Sequence, residues 1–233
     1  MKQKNKTVGV ILASGSSRRL NLTKQLKQFY LVDNKMIYEY SLDLFLSSKL
    51  FNEIYLVVNQ EYLEQIQAKH INQKEVNVIQ GSTINRHASF INAINKIKDK
   101  YDDDTKLIIH DSARANINKE CLIDCINELD KSEVVTLYYD ISSTVISIDE
   151  NNQFKNLLDR NKTKMIYTPQ GTWLRNIKDL TNINEDYLDL THFLLKLKGI
   201  KPHLIRANID CFKITTLDDL KRFEALIKYK ENE

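Results

Sequence analysis

The sequence predicts an α/β protein with a mostly parallel sheet, helices on both faces and a projecting β-arm. Short apolar runs without alternation, TVGVILA at Thr7–Ala13, EIYLVV at Glu53–Val58 and KLIIH at Lys106–His110, are what strands buried on both faces require. Helical stretches separate these runs through short connections, which implies parallel pairing. The rhythm breaks at residues 141–170, where polar–apolar alternation (STVISID) appears without a helical face. That segment reads as a two-stranded arm leaving the main body.

Thr7–Ala13 opens the sheet, and Met36–Leu46 carries apolar residues at helical spacing. Glu53–Val58 is the second strand, Glu61–His70 a helix and Val76–Ile79 a strand. In Asn85–Lys98, Phe90, Ile91, Ile94 and Ile97 mark one helical face. Lys106–His110 is the next strand, Lys119–Leu129 a helix and Glu133–Tyr138 a strand. After the arm, helix resumes at Asp186–Lys198. His203–Arg206 and Cys211–Ile214 read as short strands, and Thr216–Lys228 as a closing helix. No repeat or linker interrupts the series, and five glycines and two prolines leave no flexible hinge. Residues 1–233 therefore read as a single domain, with the arm at 141–170 inside it.

Composition excludes other classes. Apolar residues make up 42% and charged residues 28%, close to globular averages of about 45–50% and 25%, so the chain is neither disordered, collagenous nor a coiled coil. Lys plus Arg is 34 and Asp plus Glu 31, for a formal charge of +3. That balance gives no reason to expect nucleic-acid binding. No stretch approaches the roughly 18 apolar residues of a membrane span, and the apolar run Val8–Ala13 is too short for a signal-peptide core. Three cysteines are too few for a disulfide framework. Cys121 and Cys125 share a helix face and read as semi-buried thiols rather than a zinc pair, because no second ligand pair follows. A cytoplasmic protein with free thiols and no membrane partner is expected.

In parallel sheets ligands bind beyond the carboxyl ends of the strands. There the first strand runs into Ala13, Ser14, Gly15, Ser16 and Ser17, then Arg18, Arg19, Lys24 and Lys27. Small residues after a strand let backbone N–H groups wrap phosphate oxygens, and the cations behind can neutralise a polyphosphate. Neither the Walker A nor the dinucleotide spacing is present, so the loop reads equally as a phosphate cradle or a polar turn. Further constellations follow later strands: Gly81-Ser82-Thr83 with Arg86 and Ser89, then His110-Asp111-Ser112-Ala113-Arg114, then Asp159-Arg160 with Thr168-Pro169-Gln170. Asp111, directly after a buried strand, suits a divalent cation on phosphates or a helix cap. His110 reads as a packed strand-terminal residue, without a catalytic role.

Together these segments resemble the cytidylyltransferases of small polyol phosphates, which include the 2-C-methyl-D-erythritol 4-phosphate and D-ribitol 5-phosphate enzymes. The likeness lies in ILASGSSRRL…LKQFYLVDNK, QGSTINRHAS, IIHDSARAN, Ser143-Thr144 followed by DRNKTKMIYTPQ, and CFKITTLDDL, in the family's order along nearly the whole chain. The chain departs from the family pattern at Ser17, Leu26, Ser82, Ala88, Ala115 and Cys211.

The resemblance implies a Rossmann-like nucleotide-binding sheet whose arm serves dimerisation. It implies that Ala13, Ser14, Gly15, Ser16 and Ser17 meet the nucleotide. Arg19, Lys27 and Lys213 become the catalytic cations. Gly81, Ser82, Arg86 and Ser89 fall on the cytosine and ribose side. Asp111, Arg114, Thr144, Arg160 and Thr168 surround the polyol phosphate, with Asp111 also near Mg2+, and Arg160 reaches across a homodimer that exchanges arms. The expected reaction joins CMP from CTP to D-ribitol 5-phosphate, giving CDP-ribitol for a surface polymer. Alternatives are the methylerythritol phosphate reaction of isoprenoid precursor synthesis, another nucleotide or acceptor, and a non-catalytic nucleotide-binding subunit.

Overall fold

A computed structural model of the chain describes residues 5–17, 26–183 and 185–231. In chain order its elements are β1 (Thr7–Ala13), β2 (Leu31–Val32), β3 (Lys35–Met36), α1 (Ile37–Ser48), β4 (Glu53–Val58), α2 (Leu63–Lys69), β5 (Val76–Gln80), α3 (Arg86–Ile97), β6 (Lys106–Asp111) and α4 (Lys119–Glu128). They continue with β7 (Val134–Asp140), β8 (Val145–Ile148), β9 (Phe154–Leu158), β10 (Lys164–Trp173), α5 (Leu190–Lys198), β11 (His203–Arg206) and α6 (Leu217–Glu231). Among the described residues, the main sheet runs β11-β7-β10-β6-β1-β4-β5. All neighbouring strands are parallel except β10, which is antiparallel to both β6 and β7.

The alternation of a strand's side chains explains the layers. Every residue of β1 is buried. Ile11 and Ala13 face a core shared with Tyr38, Leu42 and Phe45 of α1, Ile66 of α2, and Cys121, Leu122, Cys125 and Ile126 of α4. Val8, Val10 and Leu12 face the opposite core, with Phe90, Ile94 and Ile97 of α3 and Phe193 and Leu194 of α5. A third cluster seats α6 through Leu220 and Phe223 against Ile37, Phe212 and Ile214. Gly9 permits close packing on the first face, since a Cβ there would lie 2.8 Å from a Phe45 ring carbon. All three cysteines are free and buried, so Cys121 and Cys125 are core thiols, and no cluster of three or more metal-binding side chains occurs among the described residues. Trp173 is buried too. No helix among the described residues is long and apolar enough to cross a membrane.

The structure corrects the sequence reading in three places. The arm is shorter than 141–170: β10 carries residues 164–173, and Tyr167–Trp173 are all buried in the main sheet. Of the segment read as the arm, the β8–β9 hairpin forms a separate two-stranded sheet, as β2–β3 does elsewhere in the chain. Cys211–Ile214 is not a strand. It is an irregular buried segment whose Ile214 N–H donates to the Ala113 carbonyl at 2.8 Å. The helix expected from Asp186 starts at Leu190, because the Asp189 carboxylate accepts from the His192 N–H at 2.9 Å and caps it there.

Candidate active site

The parallel strands β1, β4, β5 and β6 deliver their carboxyl ends to one edge of the sheet. A cleft of about 550 Å³ opens there. It is lined by Ser14–Ser17 after β1, Asn59 after β4, Ser82–Arg86 after β5 and Asp111–Ala113 at the end of β6. Lys27 and Gln28, and then Lys213 and Thr215, close its sides.

Serine hydroxyls hold the loops in contact. Ser14 Oγ donates to Ser89 Oγ at 2.7 Å, and Ser89 Oγ accepts the Ser82 N–H at 2.9 Å. Asn85 caps α3, accepting the Ala88 N–H on Oδ1 at 2.7 Å, and so places Arg86 on the first turn. Gly81 is needed for close approach, because a Cβ there would lie 2.5 Å from Ser14 Cβ.

The charged centre is Asp111. Arg86 Nε donates to its Oδ1 at 2.7 Å and Lys213 Nζ to its Oδ2 at 2.8 Å. Burial alone would raise this carboxyl. Arg86, Lys213 and Arg114 instead hold it well below the usual carboxylate range. Arg86 Nη2 is buried and has no hydrogen-bond partner among the described residues. A buried guanidinium N–H without an acceptor favours an anionic one. Lys27 Nζ donates to the Ile214 carbonyl at 2.7 Å, which brings it to the wall that carries Lys213. That wall is fixed by Asp219, whose carboxylate accepts the Thr215 and Thr216 N–H groups at 2.9 and 2.8 Å. The net charge of Arg86, Lys27 and Lys213 around one carboxylate is positive, which suits phosphate groups.

The structure brings Ser14, Gly15, Ser16, Ser17, Lys27, Ser82, Arg86, Asp111 and Lys213 together on the cleft. Ala13, Gly81 and Ser89 adjoin the lining loops without lining the cleft: Ala13 precedes Ser14, Gly81 packs on Ser14, and Ser89 bonds to Ser14 and Ser82. Two residues expected on the acceptor are set behind it. Arg114 donates to the Cys211 carbonyl at 2.8 Å and lies over the Tyr167 ring. Thr168 is buried, and its Oγ1 accepts the Asp111 N–H at 3.0 Å. Thr144 and Arg160 are exposed on the arm, away from this chain's own cleft, and Arg160 Nη1 donates to the Ser142 carbonyl. Arg18, Arg19 and Lys24 lie outside the described residues. His110 is fully buried, burial pushes its imidazole down to about 3, and it packs against Thr168.

The sequence reading missed Gln28, Asn59 and Thr215. Asn59 directly follows the buried run EIYLVV, so the rule that found the other loops would have found it. Gln28 follows Lys27 within the quoted LKQFY segment. Thr215 lies two residues after Lys213 within CFKITTLDDL, so the same motif pointed to its segment without singling it out.

Among the described residues no group of side chains would hold a divalent cation by itself. Asp111 is the one carboxylate lining the cleft among the described residues, and both its oxygens are held by cations. Mg2+ in such sites is held through one or two carboxylates together with the substrate's phosphates, not by a dedicated protein cage.

Over residues 7–229 the chain matches the family model described as 2-C-methyl-D-erythritol 4-phosphate cytidylyltransferase, IspD. It is 25% identical to the protein of that name from Thermotoga neapolitana over 224 residues, covering 95% of this chain and 96% of the relative. It is 30% identical to the namesake from Thermosipho melanesiensis over 222 residues, covering 91% and 94%. It is also 23% identical to the ribitol-5-phosphate cytidylyltransferase of Streptococcus agalactiae serotype Ia over 232 residues, covering 97% of each. Among solved structures, it superposes on the 4-diphosphocytidyl-2C-methyl-D-erythritol synthase of Anaerococcus prevotii with a TM-score of 0.80 at 22% identity, covering 96% of each chain. The Francisella tularensis 2-C-methyl-D-erythritol 4-phosphate cytidylyltransferase gives 0.77 at 24%, covering 94% and 98%. These structural likenesses establish the fold.

Proposed function

Since the chain belongs to the 2-C-methyl-D-erythritol 4-phosphate cytidylyltransferase (IspD) family, we propose that it joins CMP from CTP to D-ribitol 5-phosphate and releases pyrophosphate. The chain is an enzyme of the cytidylyltransferase type that acts on a polyol phosphate. The ribitol substrate is the finer reading. The observation that carries it is the match to the Streptococcus agalactiae ribitol-5-phosphate cytidylyltransferase, which covers 97% of each chain. Ser112 and Thr215 line the cleft beside Asp111 and Lys213, a polar surround that suits a polyol phosphate. The branched methylerythritol phosphate is the second reading, favoured by the 30% identity to the Thermosipho melanesiensis protein.

The chemistry follows from the charges. A phosphomonoester carries about −1.5 to −2 charges at pH 7, so its oxygen attacks without a general base, consistent with a neutral, buried His110. The barrier lies in bringing that anion to the α-phosphorus of CTP and in the charge that builds there. Lys27 is assigned to the triphosphate, a role the family resemblance also gives Arg19, while Arg86 serves the nucleotide side and Lys213 the acceptor phosphate. The bond from acceptor oxygen to phosphorus forms as the bond to the bridging oxygen of pyrophosphate breaks. Magnesium enters as the counter-ion of CTP, so MgCTP is the substrate and Asp111 organises the protein's own cations.

The arm completes the reading. Ile146 and Leu157, and Ile148 and Phe154, are cross-strand neighbours, and all are exposed, Phe154 and Leu157 at 66% each. An isolated two-stranded hairpin is marginal in water, and this apolar stripe suits burial against a second copy of the chain. Arm exchange would bring Thr144 and Arg160 to the partner's cleft.

The test is pyrophosphate release from MgCTP with ribitol 5-phosphate and methylerythritol 4-phosphate offered separately, and with ATP, GTP and UTP as controls. Turnover with CTP and ribitol 5-phosphate is expected. Turnover with the branched acceptor alone establishes the second reading, and silence with both acceptors overturns both.

A further inference from the structure

Ser17 has a left-handed backbone, with φ at 55°, a conformation that disfavours any residue with a Cβ. Its hydroxyl is fully used. Ser17 Oγ accepts the Lys27 N–H at 2.8 Å and donates to Gln28 Oε1 at 3.3 Å. Gln28 is 1% exposed, and its Nε2 donates to the Gly15 carbonyl and to Asn59 Oδ1, both at 3.0 Å. Asn59 Nδ2 donates in turn to the Ser14 carbonyl at 3.0 Å. The loop after β1 is thus tied at Ser14, Gly15 and Ser17 to the end of β4 and to the turn that carries Lys27. A trans peptide points its C=O and N–H in opposite directions. Fixing these two carbonyls therefore turns the Gly15 and Ser16 N–H groups away from the Gln28–Asn59 pair.

We propose that Ser17, Gln28 and Asn59 are positioning residues that set the Lys27 main chain and the loop N–H groups relative to one another. Ser17 is the member of this network whose hydroxyl accepts the Lys27 N–H. Buried amides with both functions satisfied hold one geometry rather than several. The inference rests on the proposed role of Lys27 as a cation of the transition state. It goes beyond that role in assigning the cause of its placement.

The decisive variant is Ser17→Gly. Glycine adopts a φ near 55° without strain, so the fold is preserved while the hydroxyl is lost. We expect kcat to fall at least about tenfold while CTP affinity, measured by equilibrium binding, changes less than about threefold. Leu26 has a φ of −70°, within the range proline imposes. Adding Leu26→Pro to Ser17→Gly stiffens the same turn by another route and should recover most of the lost kcat. Hydrogen exchange at the Lys27 amide reads the contact without turnover and should quicken in Ser17→Gly. A kcat within about twofold of the parent, or Lys27 exchange unchanged by Ser17→Gly, overturns the proposal. Loss of CTP binding in proportion to kcat, or no recovery with Leu26→Pro, also overturns it, by making the hydroxyl a general prop of the loop. A parent protein silent with both acceptors would instead overturn the proposed reaction, and the exchange measurement would still decide whether Ser17 holds Lys27.

Discussion

Lys27 and Ile214, far apart in sequence, meet through a 2.7 Å hydrogen bond from the Lys27 ammonium to the Ile214 carbonyl. The contact joins the loop after the first strand to the segment that carries Lys213. One cation thereby borders both halves of the cleft. Replacing Lys27 with alanine should lower kcat by about 100-fold or more, by analogy with the loss of one oxyanion donor. The fold should survive, because Lys27 is only partly buried. Steady-state pyrophosphate release and a thermal melt check both halves of this expectation.

Gly81→Ala tests the junction of the loops. The added methyl would meet Ser14 Cβ at 2.5 Å and Ser14 Oγ at 2.8 Å, displacing the Ser14–Ser89 bond. The KM for CTP should rise about tenfold, as for a misplaced binding group. Unchanged CTP kinetics would mean that the loop can yield without cost.

Acid should destabilise the protein in two windows. Burial lowers the His110 imidazole from 6.5 to about 3 in the folded state, so the unfolded chain binds a proton that the folded chain refuses. This contribution to stability is complete above pH 6.5 and is lost as pH falls toward 3, with a slope approaching about 1.4 kcal/mol per pH unit. His87, also pushed down chiefly by burial, acts with the same sign. Asp111 adds a second window. Its carboxyl, held down by Arg86 and Lys213 against the effect of burial, contributes stability that is present above 3.8 and lost below it. Urea midpoints measured across this range should slope downward with acid, and His110→Gln should remove that residue's share. An unchanged slope in His110→Gln would show that His110 binds its proton equally well in the folded and unfolded chain.

The double variant Phe154→Asp with Leu157→Asp places charge on the exposed apolar stripe of the arm. Light scattering should show a dimer for the parent and a monomer for the variant. Activity should fall with dimerisation if Thr144 and Arg160 act in the partner's cleft. A dimer that survives both charges would place the interface elsewhere.

Much of this architecture is legible in the sequence because buried parallel strands leave uninterrupted apolar runs. TVGVILA becomes β1 with the expected bounds, and EIYLVV becomes β4. The loops after those strands are legible for the same reason. What escapes is whatever depends on tertiary pairing. The segment from Lys164 to Gln170 falls in the stretch read as the arm, yet it belongs to a strand of the main sheet, because β7 pairs with Lys164–Tyr167 and β6 and β7 together flank Gln170–Thr172. CFKI reads as a strand from its apolar content, yet it stays irregular, since Phe212 and Ile214 fill a cluster with α6. Arg114 and Thr168 are the right chemical types in the right motifs. Their side chains nevertheless turn to Cys211 and to the Asp111 backbone, an orientation that spacing does not encode.

The antiparallel placement of β10 between β6 and β7 has a consequence for the order of synthesis. In the finished sheet β7 pairs only with β10 and β11, both made after it. A chain leaving the ribosome completes β1, β4, β5 and β6 and can pair them, but β7 emerges before either of its partners exists. It waits until the arm has been translated and β10 returns to bridge the two halves. The hairpin is therefore a delay written into translation, and an insertion at its tip would lengthen the time that β7 spends unpaired.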